Sequence, residues 1–469
     1  MSESKRLLKN TGLIAIGNTS TKIVSFLLLP LYTTILTKEE YGVIDYFFSI
    51  TAFCIPFVNL LMDESIFRFL LDCKTKEERT KVISSTVFVV LIGIVLLCIC
   101  SLPFIFLKHI PYLELGVVYV TISSISSIES ALLRGIGRTD QFTLYNFCSS
   151  VLHIILNVLF IAYLMLGING MLFAAAISTA VVCIVFFMVL DLKQYISFKS
   201  IDTCLIKEMV IYSLPLIPNK LSWNIINLSN RIIVMNTIGS SATGLFAIAN
   251  KFPGLLDTIY GFFYQAWKES SARVTDDDNK EQFFNGVYKY LKDFLYSMVL
   301  LLIAFMPVIF GLLVNKSYHD ALLYVPFLLI GTYFSNISGF YGGIFTAYKD
   351  TKIMGNTTVV AALINISLNL LAIKYFGLWA ASLAVLVSTF VVYQYRKIKV
   401  ARYVKLEENF KDQIFTFIFT CLLLILYYSN NIKLLVLAMM LAVIHSIVVN
   451  RNLIRYLLMF VRKRFLKGC

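Results

Sequence analysis

Apolar residues run through this chain in fourteen long blocks separated by short polar links. The blocks fall at approximately 11–36, 41–66, 83–107, 113–133, 142–166, 168–191, 208–237, 242–267, 287–314, 321–347, 354–373, 377–395, 413–429 and 432–450. Each approaches or exceeds the ~17–25 residues a helix needs to cross a bilayer. Length, rather than periodicity, separates helix from strand here. The pattern predicts an all-α integral membrane protein with about fourteen transmembrane helices. The opening M-S-E-S-K-R-L-L-K resembles a signal n-region, but the apolar stretch after it is too long and lacks a small-x-small cleavage site. It reads as the first transmembrane helix.

One stretch breaks the apolar pattern. From Pro215 to Gly254 the chain is hydrophobic enough to cross a membrane, yet it carries Lys220, Arg231 and Lys251. On a helix Lys220, Asn224, Asn227 and Arg231 fall at i, i+4, i+7 and i+11, which is one face. A basic residue at bilayer depth costs roughly 2.5–3.5 kcal/mol on insertion scales, so it must face a bundle interior or a watery cavity. With no acid in the stretch until Asp257, the arrangement suggests a cavity prepared for an anion. Lys22, mid-block in the first span, joins the set. Asp257 and Glu129 are carboxylates at bilayer depth, able to bind a proton or sodium and so candidates for ion coupling.

The halves of the chain echo each other. Thr37-Lys38-Glu39-Glu40 leads to Tyr41-Gly42, and Ser240-Ser241-Ala242-Thr243 leads to Gly244. Gly167 to Thr179 (G-I-N-G-M-L-F-A-A-A-I-S-T) matches Gly377 to Thr389 (G-L-W-A-A-S-L-A-V-L-V-S-T), with Leu156-Asn157 and Leu368-Asn369 ahead of them. Six helices with their loops would occupy such offsets, so the pattern predicts parallel repeats: a six-helix lobe over 1–200, another over 201–400, and two additional helices with a basic tail over 401–469. Repeats of that kind place a substrate site between the halves and alternate its access. Prolines 30, 56, 215, 218 and 253 are candidate bends. In the second block Asp45, Ser49, Ala52, Pro56, Asn59 and Asp63 follow one helical face.

Composition fits a lipid-dissolved chain: 58% hydrophobic and 14% charged, against about a quarter charged in soluble domains. The net charge of +14 is first a topology signal. With the N-terminus in the cytoplasm, 32 of the 41 Lys and Arg fall on the cytoplasmic side and no external loop holds more than one. That obeys the positive-inside rule and places both termini in the cytoplasm; no nucleic-acid partner is expected. The nine cysteines lie mostly within spans and read as small apolar residues, and His153 as a core histidine. No phosphate-loop motif, metal-ligand spacing or catalytic constellation occurs, so no cofactor, metal or bond-breaking activity is expected.

The Tyr41-Gly42 after the first short link, N-R-I-I-V at Asn230 to Val234, G-L-F-A-I-A-N-K-F at Gly244 to Phe252 and the G-x-x-G/A-x-x-x-A repeat motifs resemble the polysaccharide-transporter flippases. These are the Wzx-type O-antigen, capsular and exopolysaccharide flippases of the multidrug/oligosaccharidyl-lipid/polysaccharide exporter superfamily. The resemblance covers essentially the whole chain in layout. It implies two six-helix lobes around a V-shaped cavity in the bacterial inner membrane, flipping an undecaprenyl-diphosphate-linked oligosaccharide. A downstream glycan polymerase is the further partner it implies. That family often carries an acid before the basic residue of span seven; this chain has Asn230 there. Lys22, Lys220, Arg231 and Lys251 would offset the diphosphate charge, and Asn224 and Asn227 would meet sugar hydroxyls. An ion-coupled multidrug exporter, which handles cations, and a peptidoglycan lipid-precursor flippase are the alternatives within the same superfamily. A membrane glycosyltransferase would need larger external loops than these.

Overall fold

The computed structural model describes residues 26–455, apart from 109, 276–278, 349, 351, 408 and 430, and apart from the side chains of 108, 218–223 and 269. Among the described residues every regular element is helical. The helices are α1 (Leu29–Ile35), α2 (Lys38–Val58), α3 (Met62–Leu70), α4 (Lys76–Lys108), α5 (Leu113–Gly135), α6 (Thr139–Asn157), α7 (Gly167–Val189) and α8 (Thr203–Ser213). They continue with α9 (Ile217–Thr237), α10 (Ser240–Arg273), α11 (Lys280–Leu313), α12 (Val325–Ala347), α13 (Lys352–Phe376), α14 (Leu378–Val400), α15 (Phe410–Tyr428) and α16 (Ile432–Val449). A helix occupies at least part of each of the fourteen predicted blocks. Ten helices are long and apolar enough to cross a membrane, eleven if the short 3-10 segment Lys316–Leu323 and α12, bent by 52° at their junction, count as one span. The helices α9 and α10 are not among them. Their Lys, Arg, Asn and Asp residues dilute the apolar run, which marks them out from the lipid-facing helices.

Local chemistry sets the helix ends. Thr37 caps α2 through a reciprocal box: Glu40 N donates to Thr37 Oγ1 at 3.2 Å and Thr37 N to Glu40 Oε2 at 2.9 Å. Asp202, Asn409 and Asn431 cap α8, α15 and α16 by accepting from backbone N–H groups of the first turn. Pro218 stands in the first turn of α9, where a missing N–H costs nothing. Pro56 precedes a true break: Leu60 and Leu61 adopt left-handed φ of 48° and 52°, strained for leucine. The break ends the polar face expected to run from Asp45 to Asp63, so Asp63 starts the separate helix α3. Asn59 holds the break together, its Oδ1 accepting from Leu61 N at 3.0 Å and its Nδ2 donating to Ser127 Oγ at 3.2 Å. Pro253, by contrast, lies inside an uninterrupted α10.

The chain divides into two compact units, the boundary falling between Gly244 and Leu245, inside α10. In the first unit Met62, Ile66 and Leu70 of α3, Ile83 and Val90 of α4, and Ile128 and Leu132 of α5 share one core with Met209 of α8. In the second, Trp267 of α10 stacks on Phe340 of α12 with centroids 4.3 Å apart and donates to the Phe340 carbonyl at 2.9 Å. Much of the outer surface is apolar, with residues such as Phe417 of α15 at 70% exposure. Apolar side chains on that scale belong in lipid.

The repeated motifs behave alike. Gly167 and Gly377, at the starts of α7 and α14, have φ of +54° and +55°, a conformation that leaves glycine unstrained. Ser178 and Ser388 donate to the carbonyls of Ala175 and Val385. Asn157 and Asn369 are fully buried, Asn157 Nδ2 donating to the His153 carbonyl of its own helix at 2.7 Å. The two short links touch: a Cβ at Gly42 would strike the Ser240 carbonyl oxygen, and a Cβ at Gly244 would strike the Lys38 carbonyl oxygen. The first turns of α2 and α10 thus meet backbone to backbone. Gly42→Val and Gly244→Val should each destabilise the detergent-solubilised protein by about 1–3 kcal/mol through overpacking. Gly286→Ala, in open space within α11, should be neutral or stabilise by up to ~1 kcal/mol. Thermal unfolding measures the difference, and equal effects would contradict the close backbone contact.

Candidate functional site

The polar face of α9 lies against α2 in the first unit. Two contacts set an antiparallel register. Arg231 Nε donates to Asp45 Oδ2 at 2.6 Å, and two turns further on Asn224 Nδ2 approaches the Ala52 carbonyl at 3.5 Å. Arg231 Nη1 also donates to the Asn227 carbonyl at 3.0 Å, one turn earlier on its own helix. The ion-paired side chains keep 14% and 17% exposure, so neither is sealed in the core. Tyr41 is buried beside the pair. The sequence suggested basic residues without local acids; the structure supplies Arg231 with a counter-ion from α2, 186 positions away.

The other predicted residues scatter. Asn224 is half-buried and Asn227 exposed on α9. Lys22 lies outside the described residues, as does the side chain of Lys220, whose backbone continues α9. Lys251, half-buried, and Asp257, exposed, both sit on α10 in the second unit. Glu129 is placed differently, 6% exposed within the first unit's helix bundle, with neither carboxylate oxygen hydrogen-bonded. The Cys183 thiol, a weak donor, lies beside it, and the Tyr145 hydroxyl nearby is engaged with Ser126 Oγ at 2.7 Å. Among the described residues no group of three or more His, Cys, Asp or Glu is placed to hold a metal ion.

A second arginine was missed. Arg396, one turn before the end of α14, is 2% exposed, although its sequence neighbours make it look like part of a cytoplasmic basic run. Its Nε donates to Thr357 Oγ1 at 2.9 Å, Nη1 to the Ser338 carbonyl at 3.0 Å, and Nη2 to Met354 O and Thr358 Oγ1, both at 3.4 Å. It ties α12, α13 and α14 together through neutral oxygens. The signal was a stripe of Ser388, Val392, Arg396 and Val400, all buried at four-residue spacing. The second unit also holds an apolar cavity of about 600 Å³ between α11, α12, α14 and α15, lined by Tyr296, Tyr333, Phe334, Phe390 and Phe417 with Asp293 and Asp412. None of the predicted site residues lines it.

A family profile described as "Polysaccharide biosynthesis protein" matches residues 7–267, more than half of the chain. The chain belongs to that family. No curated protein sequence matches it. Among solved structures it is similar to a multidrug resistance MATE family transporter of the MOP superfamily in its inward-facing conformation: TM-score 0.68, 16% identity, 83% of this chain and 98% of that one covered. It is also similar to a MOP superfamily transporter from Pyrococcus furiosus, whose binding pocket is described as of reverse polarity, suggesting a different function. There the TM-score is 0.59 at 16% identity, over 84% of this chain and 95% of that one. A MATE structure in the straight conformation also has a TM-score of 0.59 at 16% identity, over 84% of this chain and 96% of that one. These likenesses establish the fold: a multi-span membrane protein built as MATE-type transporters are.

The two arginines should separate on stability. Arg231→Gln removes a water-accessible pair worth about 0–1 kcal/mol. Arg396→Gln leaves buried carbonyls and hydroxyls without their donor and should cost several times as much, at about 1.5–3 kcal/mol per charge-assisted bond lost. Thermal melts of both variants in one detergent test this, and an Arg396→Gln protein as stable as Arg231→Gln would contradict the structural role.

Proposed function

We propose that this family member is a flippase that moves undecaprenyl-diphosphate-linked oligosaccharide units across the bacterial inner membrane by alternating access. The observation that carries the reading is α9: a helix of the transporter fold with Arg231 and the asparagines on one water-reached face, too polar to stand in lipid. A lipid-linked sugar diphosphate has a charged joint, a hydrated glycan and a tail that stays in hydrocarbon. Arg231 offers it a guanidinium and Asn224 and Asn227 offer amides, with Lys22, Lys220 and Lys251 as the further positive charges. The two lobes, 1–200 and 201–400, supply the moving bodies, and 401–469 the accessory helices. The chain acts as a carrier, without breaking bonds. A multidrug exporter of the same fold would handle cations, for which a basic helix is a poor match. A peptidoglycan lipid-precursor flippase has the same charge requirement and differs only in glycan.

In proteoliposomes the protein should flip a fluorescent polyprenyl-diphosphate oligosaccharide. Arg231→Gln and Lys251→Gln should lower the rate by about tenfold or more, and Arg231→Lys should keep part of it. Asp257→Asn and Glu129→Gln should remove dependence on an imposed proton or sodium gradient if these carboxylates couple transport. Transport of cationic drugs with no flipping of the diphosphate lipid would refute the function; unchanged gradient dependence in both variants would refute the coupling.

The inside-positive charge pattern supports cytoplasmic termini. Cysteines replacing Glu39 or Ser241 should then react with an impermeant reagent added outside intact cells, and those replacing Lys76 or Lys280 should not. The reverse labelling would overturn the orientation.

A further inference from the structure

The Asp45–Arg231 pair is built loosely for two oppositely charged groups. Only Nε of the guanidinium reaches the carboxylate, side-on through one oxygen. Nη1 turns to the Asn227 carbonyl, and among the described residues Nη2 and Asp45 Oδ1 carry no hydrogen bond. Arg–carboxylate pairs that serve as fixed struts take the two-bond fork instead. Both side chains stay partly open to water, unlike Arg396, whose three nitrogens are all engaged in the core. The packing of α2 does not depend on the pair alone: the glycine seam joins it to the first turn of α10 at Ser240, and Asn224 of α9 approaches the Ala52 carbonyl. The pair can therefore open by side-chain rotation, with α2 and α9 in place.

We propose that Asp45 is a built-in competitor for Arg231: an arriving phosphate-bearing group takes the guanidinium from Asp45, and Asp45 takes it back at release. This rests on the reading of the chain as a carrier of a lipid-linked diphosphate. In the empty protein the carboxylate satisfies an arginine that would otherwise be costly at bilayer depth. A diphosphate outbids it, with more charge and more acceptor oxygens, and engages the idle Nη2 edge as a second bond. Once displaced, Asp45 faces an anion of its own sign beside its former partner. That repulsion weakens the loaded state and favours unloading. A carrier needs both steps, because an arginine without a competitor would hold its cargo too tightly to turn over. Removing the acid should tighten binding while slowing transport, and removing the arginine should abolish the acid's influence.

The experiment uses the full chain in nanodiscs of phosphatidylcholine, with farnesyl diphosphate as the probe and equilibrium binding as the readout. The wild type should bind saturably and Arg231→Gln about tenfold more weakly. Asp45→Asn should bind about tenfold more tightly yet flip a diphosphate lipid more slowly in vesicles. Asp45→Glu, which restores the competitor, should return affinity to near the wild-type value. The double variant Asp45→Asn/Arg231→Gln should match Arg231→Gln, because the acid acts through the guanidinium. Asp45→Asn binding no more tightly than wild type overturns the exchange and leaves the carrier reading standing. So does a gain from Asp45→Asn that persists without Arg231, which would make the acid a general source of repulsion. Absence of saturable binding by the wild type itself overturns the carrier reading and the exchange with it.

Discussion

A charged group in a hydrocarbon layer must find its partner inside the protein, and the contact between Arg231 and Asp45 is where this chain meets that demand on α9. A good deal hangs on that bond. The helix carrying Arg231 is too rich in asparagine and basic residues to rest against lipid, so it must lie against another helix with a polar face. The face of α2 that holds Asp45 and Ser49 supplies it. The register in turn requires the start of α2 to be fixed, which the Thr37–Glu40 box and the glycine contact with Ser240 of α10 accomplish. Capping, close backbone approach and ion pairing are successive parts of one arrangement.

Comparing the two arginines shows what burial decides. Arg396 is shut into the second unit and its donors are taken by carbonyl and hydroxyl oxygens, so its charge is spent on holding three helices. Arg231 is half as well provided and reached by water. A guanidinium with spare donors in a wet setting is available to a ligand, and one saturated in the core is not. Glu129 is a third case, a carboxyl group enclosed beside the Cys183 thiol and near the Tyr145 hydroxyl, with neither oxygen hydrogen-bonded. Its burial gives physical content to its candidacy for ion coupling, which the exposed Asp257 lacks.

The fold was largely legible because bilayer thickness fixes helix length: apolar blocks such as 113–133 and 168–191 became α5 (Leu113–Gly135) and α7 (Gly167–Val189), with ends shifted by two residues at most. The polar face of α9 was legible too, since helical period alone places Asn224, Asn227 and Arg231 together. The partner of Arg231 was not. Asp45 lies 186 residues earlier, and no local pattern records which distant helix a face will meet. The break after Asn59 was hidden for a different reason, because leucines rarely adopt left-handed φ and nothing in the composition of Asn59-Leu60-Leu61 announces it. Arg396 is hard to tell from its neighbours Lys397 and Lys399 in the sequence, and it is the four-residue stripe through it that points inward.

Residues matched between the two halves behave differently from residues present in one half alone. Polar groups present in both halves do the same work twice: Gly167 and Gly377 share a backbone conformation, Ser178 and Ser388 make the same bond, and Asn157 and Asn369 are equally buried. Such residues define the helix bundle, so reading one copy predicts the other. Asp45 and Arg396 have no such copies. At the offset that relates Gly42 to Gly244, the counterpart of Asp45 is Ala247, a buried apolar residue. At the offset that relates Gly167 to Gly377, the counterpart of Arg396 is Phe186, again apolar and buried. A duplicated bundle that places an acid or a base in one half and an apolar residue in the other has departed from the plan that built it. An isolated charge in that setting costs stability wherever it is not paired or saturated. Such unmatched charges are therefore where this chain's own chemistry is to be sought: Arg396 is shut into the core, whereas Asp45 and Arg231 on α2 and α9 keep part of their surface open.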